Sequence, residues 1–501
     1  MTASAPATVG AERESALGTV LAFLALHVLC WTVFATVTHG AVHHDMAEAW
    51  AWGKEPALGY YKHPPVSAWI AYAWFGVFPR TSFFFYLLAE TNAALGLLGA
   101  WMIAARVLAA PERAASLAML CLTPLYNLYA LKYNANTVLL SLWPWTAYAA
   151  IRAVETRRIV WGVAFGVMAA LSMLAKYYSG LLLVSCLAAA LLHPNARAFF
   201  RSPAPYVAVL VGAALISPHV HWMATNGFQT LEYAAATTRH KFSANLLRGL
   251  SATVQAFAFH AIPVAALLWA LEPKQRAGFA RRLVGGAWDR RNWWIVALAF
   301  GPFVLTILAL LVGNVRISAQ FMIPIFFMVP VALLAVSAVP LPWASIRARV
   351  ERPALLFPLI AVAVSPPIAI ALFHTREPTF QEPRVAVAEA ATKAWREAFG
   401  TRLDIVAGEE RYAQGATFYS PDAPSEFTAF DFRLAAGITP ERLKRSGMLV
   451  ICETTDRACA ERAKPFLPAD APRVDFATAP KLWWLAGKPR TFVFSLVPPR
   501  L

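Results

Sequence analysis

The first polar stretch of this hydrophobic chain, Ala41–Trp69, holds the residues best suited to chemistry. Asp45 stands at the start of a predicted helix, Asp45–Lys54, just outside the first apolar run. A carboxylate with an ordinary pKa of about 3.9 is ionised at neutral pH, and it can accept a proton from a hydroxyl during group transfer. The same residues also fit a helix-capping box, with Asp45 as N-cap and Glu48 three positions later. Both roles stay open at this point.

A lysine and a histidine precede two prolines in the same stretch, in the run Lys62-His63-Pro64-Pro65. Proline is favoured at the first helical positions, so the run predicts a turn into a short interfacial helix, Pro64–Phe78. His63 would then face the headgroup region, either as a phosphate ligand or simply as part of the turn. Lys62 fits a lysine whose stem lies along the interface. The remaining binding candidates of this stretch are Glu48, Lys54 and Tyr61.

Further basic and polar residues stand at the ends of later apolar runs, on the side predicted for Asp45. Singly, such residues usually anchor a helix at the membrane interface. Together they could bind a phosphate at headgroup level, where charge-assisted hydrogen bonds are strong. These candidates are Lys132, Tyr133, Asn134, Lys176, Tyr177, Arg239, Lys241 and Arg316.

One acid lies inside an apolar run, where a carboxylate is costly and by default suggests function or a buried pair. This is Glu90, close to Asn92, and a structural partner among the basic residues on the side of Asp45 is the preferred interpretation. His219 and His221 are two apart on a predicted helix and do not share a face, which argues against a metal pair. The sequence contains no P-loop, dinucleotide-binding glycine motif or zinc-binding pattern.

The composition is that of a membrane protein. Of 501 residues, 58% are hydrophobic and only 14% are charged, whereas soluble domains carry about a quarter charged residues. The net charge of +16 does not indicate nucleic-acid binding, because 26 of the 44 basic residues but only 12 of the 28 acidic ones precede residue 376. The positive excess therefore belongs to the membrane part, where it reports topology.

Eleven apolar segments approach the roughly 17–25 residues that a spanning helix needs. They are residues 16–38, 83–105, 114–131, 136–153, 159–175, 178–193, 204–224, 250–271, 293–313, 318–339 and 354–373. With the N-terminus in the cytoplasm, the inner loops hold 16 basic residues and the outer loops nine, as the positive-inside rule expects. An odd number of spans places the first loop, 39–82, and the tail, 375–501, on the same outer side.

The tail predicts a small α/β domain on that outer face. Arg384–Phe399 has the apolar spacing of an amphipathic helix, while Ser446–Cys452 and Arg490–Val497 have the character of strands. The fold class is therefore an α-helical polytopic membrane protein, with a membrane module at 1–374 and a soluble α/β domain at 375–501.

The five cysteines divide between the two parts. Cys30, Cys121 and Cys186 lie in apolar runs and fit buried small hydrophobic side chains. Cys452 and Cys459 lie in the tail, where they could pair in an oxidising compartment or stay thiols in the cytoplasm. Their spacing leaves both alternatives open.

The first-loop and span motifs together resemble a known family. The resemblance is to integral-membrane glycosyltransferases of the GT-C type, specifically the bacterial protein O-mannosyltransferase and aminoarabinose transferase group, and it covers about residues 15–340. The segments that carry it are Asp45–Lys54, Leu58–Pro65, Lys132–Thr137, Leu174–Tyr177 and Ser217–Trp222.

What the resemblance implies is an inverting sugar transfer from a polyprenyl-phosphate donor on the periplasmic face of a bacterial inner membrane. Asp45 matches the family's first-loop acid, which activates or orients the acceptor. His63 falls where relatives carry a basic residue near the donor phosphate. Relatives often have a second acid after the first, where this chain has Met46, so we predict no metal and no cofactor beyond the lipid-linked donor. Lys62 replaces an acid of the family, which indicates a different sugar or acceptor.

Two other functions are weighed against this one. A transporter or flippase for a lipid-linked solute usually has inverted repeats and a midplane site, whereas the polar groups here gather at one interface. A membrane scaffold whose tail binds envelope proteins is the third. For a transferase, the expected partners are membrane lipids, the donor, and an acceptor that is a lipid, lipopolysaccharide, glycan or protein, bound by a monomer. The sugar and the acceptor do not follow from the sequence.

Overall fold

The structure is a computed structural model that describes residues 6–238, 241–375 and 377–500. Helices dominate up to residue 374, and a mixed sheet with flanking helices follows. The first helices in chain order are α1 Pro6–Thr38, α2 His44–Lys54, α3 Val66–Phe75, α4 Ser82–Val107, α5 Ala110–Cys121, α6 Leu139–Thr156, α7 Ile159–Ala175, α8 Gly180–Leu192 and α9 Ala196–Phe200. The membrane module continues with α10 Ala204–Thr225, α11 Gln229–Thr238, α12 Phe242–Ala270, α13 Pro273–Trp288, α14 Trp293–Gly313, α15 Ala319–Met322, α16 Val329–Ser337, α17 Trp343–Ile346 and α18 Arg352–His374.

All eleven predicted apolar segments contain helix, which confirms a multi-pass membrane protein. In the described part of the chain, seven helical segments are long and apolar enough to cross a bilayer: Leu17–Thr38, Ser82–Val107, Ala204–Thr225, Phe242–Ala270, Arg290–Gly313, Ala319–Ser337 and Trp343–His374. The helices α5 to α8 are shorter or less apolar and complete the bundle between them. The predicted fold class is correct.

Two predicted spans differ from the observed helices. The segment 114–131 is helical only as far as Cys121, and residues 122–138 form short turns. The segment 318–339 is broken into α15, a 3₁₀ turn at Ile325–Met328, and α16. Both breaks lie at the polar end of the bundle, where backbone outside a regular helix can line a cavity.

The first loop folds into two helices that pack on each other. The predicted helix Asp45–Lys54 is α2, and the predicted interfacial helix Pro64–Phe78 is the shorter α3. Gly53 lets the two approach, because a Cβ built there would lie 2.3 Å from the carbonyl oxygen of Ala68. This contact fixes the direction in which α2 projects its first residue.

The tail folds around a five-stranded sheet, as predicted from its alternating segments. The helices of this domain are α19 Pro378–Gln381, α20 Arg384–Phe399, α21 Glu410–Tyr419, α22 Pro440–Ser446 and α23 Arg457–Ala463. Its strands are β1 Ile405–Gly408, β2 Ser425–Glu426, β3 Met448–Glu453, β4 Arg473–Thr478, β5 Lys481–Leu482, β6 Leu485–Ala486 and β7 Arg490–Val497. The order is β2-β1-β3-β7-β4, with β1 parallel to its two neighbours and β7 antiparallel to both of its own. A small hairpin, β5–β6, stands apart from this sheet.

Each face of the sheet has its own core. On one face, Val387 and Trp395 of α20 pack with Tyr412 of α21 and with Phe492 of β7. On the other face, a disulfide joins Cys452 of β3 to Cys459 of α23, so the structure pairs the two tail cysteines. Cys30, Cys121 and Cys186 are free and buried, as predicted.

The first loop and the tail are packed together on one side of the bundle. The indole of Trp50 donates to the carbonyl of Thr417 at 3.1 Å, and Arg80 donates to the carbonyl of Phe418 at 3.0 Å. Arg384, which is almost fully buried, donates to the carbonyl of Val42. The first loop and the tail therefore lie on the same side of the bundle, which agrees with the predicted odd number of membrane spans.

Candidate active site

Asp45 lies in the first turn of α2 with its side chain free of any capping role. The N-cap is His43, whose ring nitrogen Nδ1 accepts a hydrogen bond from the backbone N–H of Asp45 at 3.2 Å. The alternative in which Asp45 and Glu48 form a capping box is therefore wrong, because the N-cap is His43 and the helix begins two residues earlier than that motif requires. The carboxylate of Asp45 is left to interact with side chains from elsewhere.

Three side chains contact the Asp45 carboxylate closely. Lys132 Nζ lies 2.9 Å from Oδ2, Asn134 donates to the same oxygen at 2.9 Å, and His44 Nε2 lies 2.9 Å from Oδ1. Burial opposes ionisation of Asp45, but the hydrogen bond from His44 and the charge of Lys132 hold its carboxyl pKa far below the usual range. Asp45 is therefore a permanently charged, oriented carboxylate.

Asp45 faces a polar cavity of about 230 Å³, here called the Asp45 cavity. Its walls come from the first loop, from the turn after α5, from α11, from the broken span at α15 and from the tail. The lining residues include Glu48, Trp52, Lys62, His63, Ser67, Asn134, Asn136, Tyr233, Gln320 and Glu410. Five elements distant in sequence thus converge on one carboxylate.

A second cavity, of about 410 Å³, adjoins the first and is called the Lys176 cavity. Its cations are Lys176, at the junction of α7 and α8, Arg316, after α14, and Lys62 of the first loop. The ammonium of Lys176 hydrogen-bonds Asn136 Oδ1 and stands 4.1 Å from the ring centroid of Phe321. The aromatic rings of Tyr177, Tyr178, Tyr233 and Phe321 complete the lining. Cations set among apolar rings suit an amphiphile with an anionic head.

The two cavities share a wall made of five side chains. These are Lys62, His63, Asn136, Tyr233 and Gln320. Asn136 connects Lys176 to the acid, because it hydrogen-bonds Lys176 and belongs to the same turn as Asn134, which holds Asp45. Burial, together with the nearby charge of Lys176, lowers the pKa of His63 to about 3. His63 is thus a neutral hydrogen-bonding group at neutral pH.

A cluster of carboxylates surrounds Lys62 where the first loop meets the tail. Lys62 Nζ lies 2.5 Å from Glu48 and 2.5 Å from Glu410, and Gln414 donates to both carboxylates at 3.3 and 3.2 Å. Glu426 is buried nearby, with one oxygen lacking a hydrogen-bond partner in the described structure. Burial raises the pKa of Glu48 to about 8 and, with the charges of Glu410 and Glu48, that of Glu426 to about 8.

The charge of this cluster is therefore nearly balanced at neutral pH. Burial opposes the charge on Lys62, but Glu48 and Glu410 hold the pKa of its ammonium above the usual range. Lys62 in turn outweighs burial at Glu410 and keeps the pKa of that carboxyl below its ordinary value. The Lys62 ammonium thus lies between the carboxyls of Glu48 and Glu410, while burial moves the pKa of Glu48 and of Glu426 up to about 8.

One group of side chains among the described residues could hold a metal ion. The ligand atoms of His43, His44 and Asp45 all lie within 4.8 Å of one another. However, the ammonium of Lys132 already contacts the Asp45 carboxylate at 2.9 Å, and His43 Nδ1 accepts the backbone N–H of Asp45. A dication would have to displace both interactions, so the donor set fits a metal poorly.

Most predicted binding residues lie on the walls of the two cavities. Those that line them are Asp45, Glu48, Lys62, His63, Asn134, Lys176, Tyr177 and Arg316. Lys132 joins them through its ion pair with Asp45. Acid and cations from distant parts of the chain thus meet at one place, and their individual roles stay predictions.

The remaining candidates lie elsewhere. Lys54 donates to the Ala423 carbonyl and to Ser425 Oγ, so it holds the tail domain rather than facing the cavities. Tyr133 is buried, and its hydroxyl donates to the Ser67 carbonyl at 3.0 Å. Lys241 is exposed at the start of α12, and Arg239 lies outside the described residues. Tyr61 borders a separate cleft between the first loop and the tail.

Sequence reasoning missed several residues of the site. Glu410 contacts Lys62 across the domain boundary, and no local pattern marks such a pairing. Gln320 interrupts an apolar run, which is the signal that would have found it. The basic partner predicted for Glu90 is wrong: this acid is fully buried in α4, and neither of its oxygens has a hydrogen-bond partner within the described structure.

Part of the chain is similar in sequence to a known protein family. The family model of dolichyl-phosphate-mannose-protein mannosyltransferases matches residues 62–222, which is about a third of the chain. This confirms the resemblance to membrane glycosyltransferases over a segment that contains Lys62, His63, Lys132 and Lys176, while Asp45 precedes it. No curated protein matched the chain by sequence.

Two solved structures are similar in overall arrangement. Apo ArnT from Cupriavidus metallidurans is 13% identical, over 96% of this chain and 98% of that one, with a TM-score of 0.46. The same protein bound to undecaprenyl phosphate is 14% identical, over 95% and 98% of the two chains, with a TM-score of 0.44. At this level of similarity no residue role is transferred.

Proposed function

We propose that this protein is an inverting glycosyltransferase that moves a sugar from a polyprenyl-phosphate donor to an acceptor of the bacterial envelope. The donor phosphate binds in the Lys176 cavity, and the acceptor hydroxyl binds beside Asp45. The membrane is the bacterial inner membrane, with the first loop and the tail in the periplasm. The acceptor is a lipid, lipopolysaccharide, glycan or protein.

The observation that carries this proposal is the wall shared by the two cavities. A transfer between two bound molecules requires that the donor's reacting carbon and the acceptor oxygen meet within van der Waals reach. Here an anion site with Lys176 and Arg316 opens beside a carboxylate site with Asp45, separated only by side chains that line both. The match of residues 62–222 to a family that uses a lipid-phosphate sugar supports the same assignment.

In the proposed reaction, the acceptor oxygen attacks the anomeric carbon from the face opposite the lipid phosphate. The bond between that carbon and the phosphate oxygen breaks, and its electron pair stays on the polyprenyl phosphate. The proton of the acceptor hydroxyl passes to water in the Asp45 cavity once the new bond has largely formed. Lys176 and Arg316 stabilise the charge that develops on the departing phosphate. Asp45 orients the hydroxyl and favours the positive charge that develops on the sugar.

The electrostatics of Asp45 support orientation of the acceptor as its main task. A carboxylate with a strongly lowered pKa is a weak proton acceptor, and the ion pair with Lys132 keeps it in that state. Glu48, one turn further along α2, already accepts a hydrogen bond from the Lys62 ammonium at 2.5 Å, which makes it a poor base in its place. The acceptor proton therefore leaves late, when the new bond is largely formed.

A reconstituted assay tests the proposal. Purified protein in proteoliposomes is supplied with polyprenyl-phosphate sugars and with envelope lipid extract, and the products are analysed by mass spectrometry. Preparations from a deletion strain supply an unmodified acceptor pool, and comparison with the parent strain shows which glycolipid lacks a sugar. We expect a covalent sugar–acceptor product and free polyprenyl phosphate in equal amounts. Movement of the lipid-linked sugar across the bilayer without product would instead establish a transporter.

A further inference from the structure

The hairpin β5–β6 of the tail domain carries two adjacent exposed tryptophans. Leu482 pairs with Leu485, so Trp483 and Trp484 form a two-residue tip. Trp483 is 51% exposed and Trp484 77% exposed, with their ring centroids 5.6 Å apart. Two of the largest apolar side chains of the domain thus project away from it.

The backbone of this tip is unusual for its sequence. Trp483 has φ +50°, a left-handed conformation that two-residue hairpins normally give to glycine or asparagine. A bulky residue in this conformation costs roughly 1–2 kcal/mol. A tryptophan kept in this position without burial in its own domain suggests a partner outside it.

The base of the hairpin rests on the ends of two membrane spans. Leu482 belongs to one buried cluster with Phe373 of α18 and Phe380 of α19, and Val37 of α1 packs against the same cluster. The spans concerned are Leu17–Thr38 and Trp343–His374. Val37 and Phe373 are each the second-last residue of their span. The hairpin therefore stands at the level where these helices leave the hydrocarbon.

We propose that Trp483 and Trp484 insert into the lipid headgroup layer beside α1 and α18 and anchor the tail domain to the bilayer. Tryptophan is the side chain that favours this layer, because its large apolar ring carries one polar N–H group. Lys481 and Lys488, exposed on either side of the tip, suit anionic headgroups. Apolar side chains along α18, among them Leu356, Ile360 and Val364, are exposed, as expected of a helix that contacts lipid.

This inference does not depend on the proposed transfer reaction. Its consequence for the fold is a second attachment of the tail domain, besides the hydrogen bonds that α20 and α21 make with the first loop. A domain held at two places cannot swing away from the Asp45 cavity as a rigid lid. If the lipid changes the position of the domain, Glu410 and the wall of the Asp45 cavity would move with it.

Site-directed spin labelling of the full chain in nanodiscs tests the anchor. A nitroxide is attached at Trp484→Cys, and a matched label at Glu397→Cys reports an exposed polar position of the same domain, 67% exposed and outside the hairpin cluster. The wild-type chain treated with the same reagent measures the background from Cys30, Cys121 and Cys186. Relaxation of each label by oxygen, which concentrates in lipid, is compared with relaxation by a water-soluble nickel chelate.

We expect oxygen to relax the label at 484 at least threefold more than the nickel chelate does, and the reverse at 397. Replacement of Lys481 and Lys488 by glutamine should reduce the oxygen preference at 484 in nanodiscs that contain anionic lipid, and leave the label at 397 unchanged. Equal nickel access at both positions would overturn the proposal. Exclusion of both reagents from 484, with dipolar broadening between labels, would show a second copy in place of the bilayer and would overturn it as well.

Discussion

Lys176 gives the most discriminating test of the donor site, because its charge depends on whether an anion is bound. Burial lowers the pKa of this ammonium to about 7, an effect that the Asp45 carboxylate only partly offsets. A phosphate bound beside Lys176 would return the pKa towards its ordinary value of 10.5. Binding therefore takes up a proton at any pH above 7.

The magnitude follows from this linkage. Below pH 7 Lys176 is already protonated, so the affinity for an anion is nearly constant. Above pH 7 the affinity falls by up to roughly tenfold per unit, or about 1.4 kcal/mol. Between pH 7 and pH 9 we expect a loss of roughly fiftyfold, which ends where the affinity equals that of a chain without the lysine.

The assay measures the dissociation constant of a polyprenyl methyl phosphate at pH 6, 7, 8 and 9 in detergent. This diester keeps a single negative charge over the whole range, so only the protein titrates. Lys176→Arg keeps a permanent charge and should bind with little pH dependence, whereas Lys176→Met should bind weakly at every pH. Lys241→Met, a lysine removed from an exposed position outside both cavities, should behave like the wild type.

The same set of variants separates the titration of Lys176 from that of other groups near the cavities. His63 stays neutral throughout, since burial lowers its pKa to about 3. Glu48, with a pKa raised to about 8 by burial, titrates in the wild type and in every variant alike. Any pH dependence of the affinity that is due to Glu48 therefore also appears in Lys176→Arg. Tight binding by Lys176→Met, or an equal slope in Lys176→Arg and wild type, would refute the assignment of the donor phosphate to Lys176.

Three further predictions follow from the site. Asp45→Asn removes the charge that orients the acceptor and stabilises the developing positive charge, so it should lower transfer by at least roughly a hundredfold in the reconstituted assay. Asp404→Asn, which removes an acid paired with Arg442 outside the cavities, should not. Turnover near wild type in the first variant would remove Asp45 from the mechanism. Burial raises the pKa of Glu426 from 4.5 to about 8, so its contribution to the free energy of unfolding is fully present below pH 4.5 and is lost as the pH rises through 8. Glu426→Gln should therefore stabilise the protein by about 1–3 kcal/mol at pH 8 and make its stability less dependent on pH. Melting curves from pH 5 to 9 would show or contradict this. Treatment with a chelator should leave transfer unchanged, because Lys132 already pairs with Asp45, a member of the one group among the described residues that could hold a metal ion. Inactivation by the chelator that added divalent cations reverse would instead show that His43, His44 and Asp45 bind a metal.

The sequence predicted regular elements well where one local pattern decides the structure. The bounds of α20 and β7 are those predicted, and α2 differs by one residue, because apolar spacing and the polar boundaries are all that these elements need. The break after Cys121 was missed. There the Asn134 side chain accepts hydrogen bonds from the backbone N–H groups of Asn136 and Thr137 and so stabilises a turn. Average hydrophobicity over a sequence window does not reveal such a turn.

The site was predictable as far as membrane topology brings residues to one side. The predicted topology places four candidates near the membrane interface on the same face, namely Asp45, His63, Lys176 and Arg316. In the structure these four residues line the two adjoining cavities. Their neighbours across the domain boundary were not predictable. Lys62 and Glu410 are 348 residues apart, and only the packed tail shows that this lysine belongs to a carboxylate cluster.

The hydrogen bonds between the first loop and the tail also bear on how the protein can be rebuilt. Lys54, Arg80 and Arg384 all donate to backbone carbonyls across that boundary, and such contacts depend on the exact path of both chains. A chimaera that takes its tail from a relative must therefore inherit the matching loop, 39–82, from the same parent. Specificity for a new acceptor would then be exchanged as one paired cassette, with the helical bundle left in place.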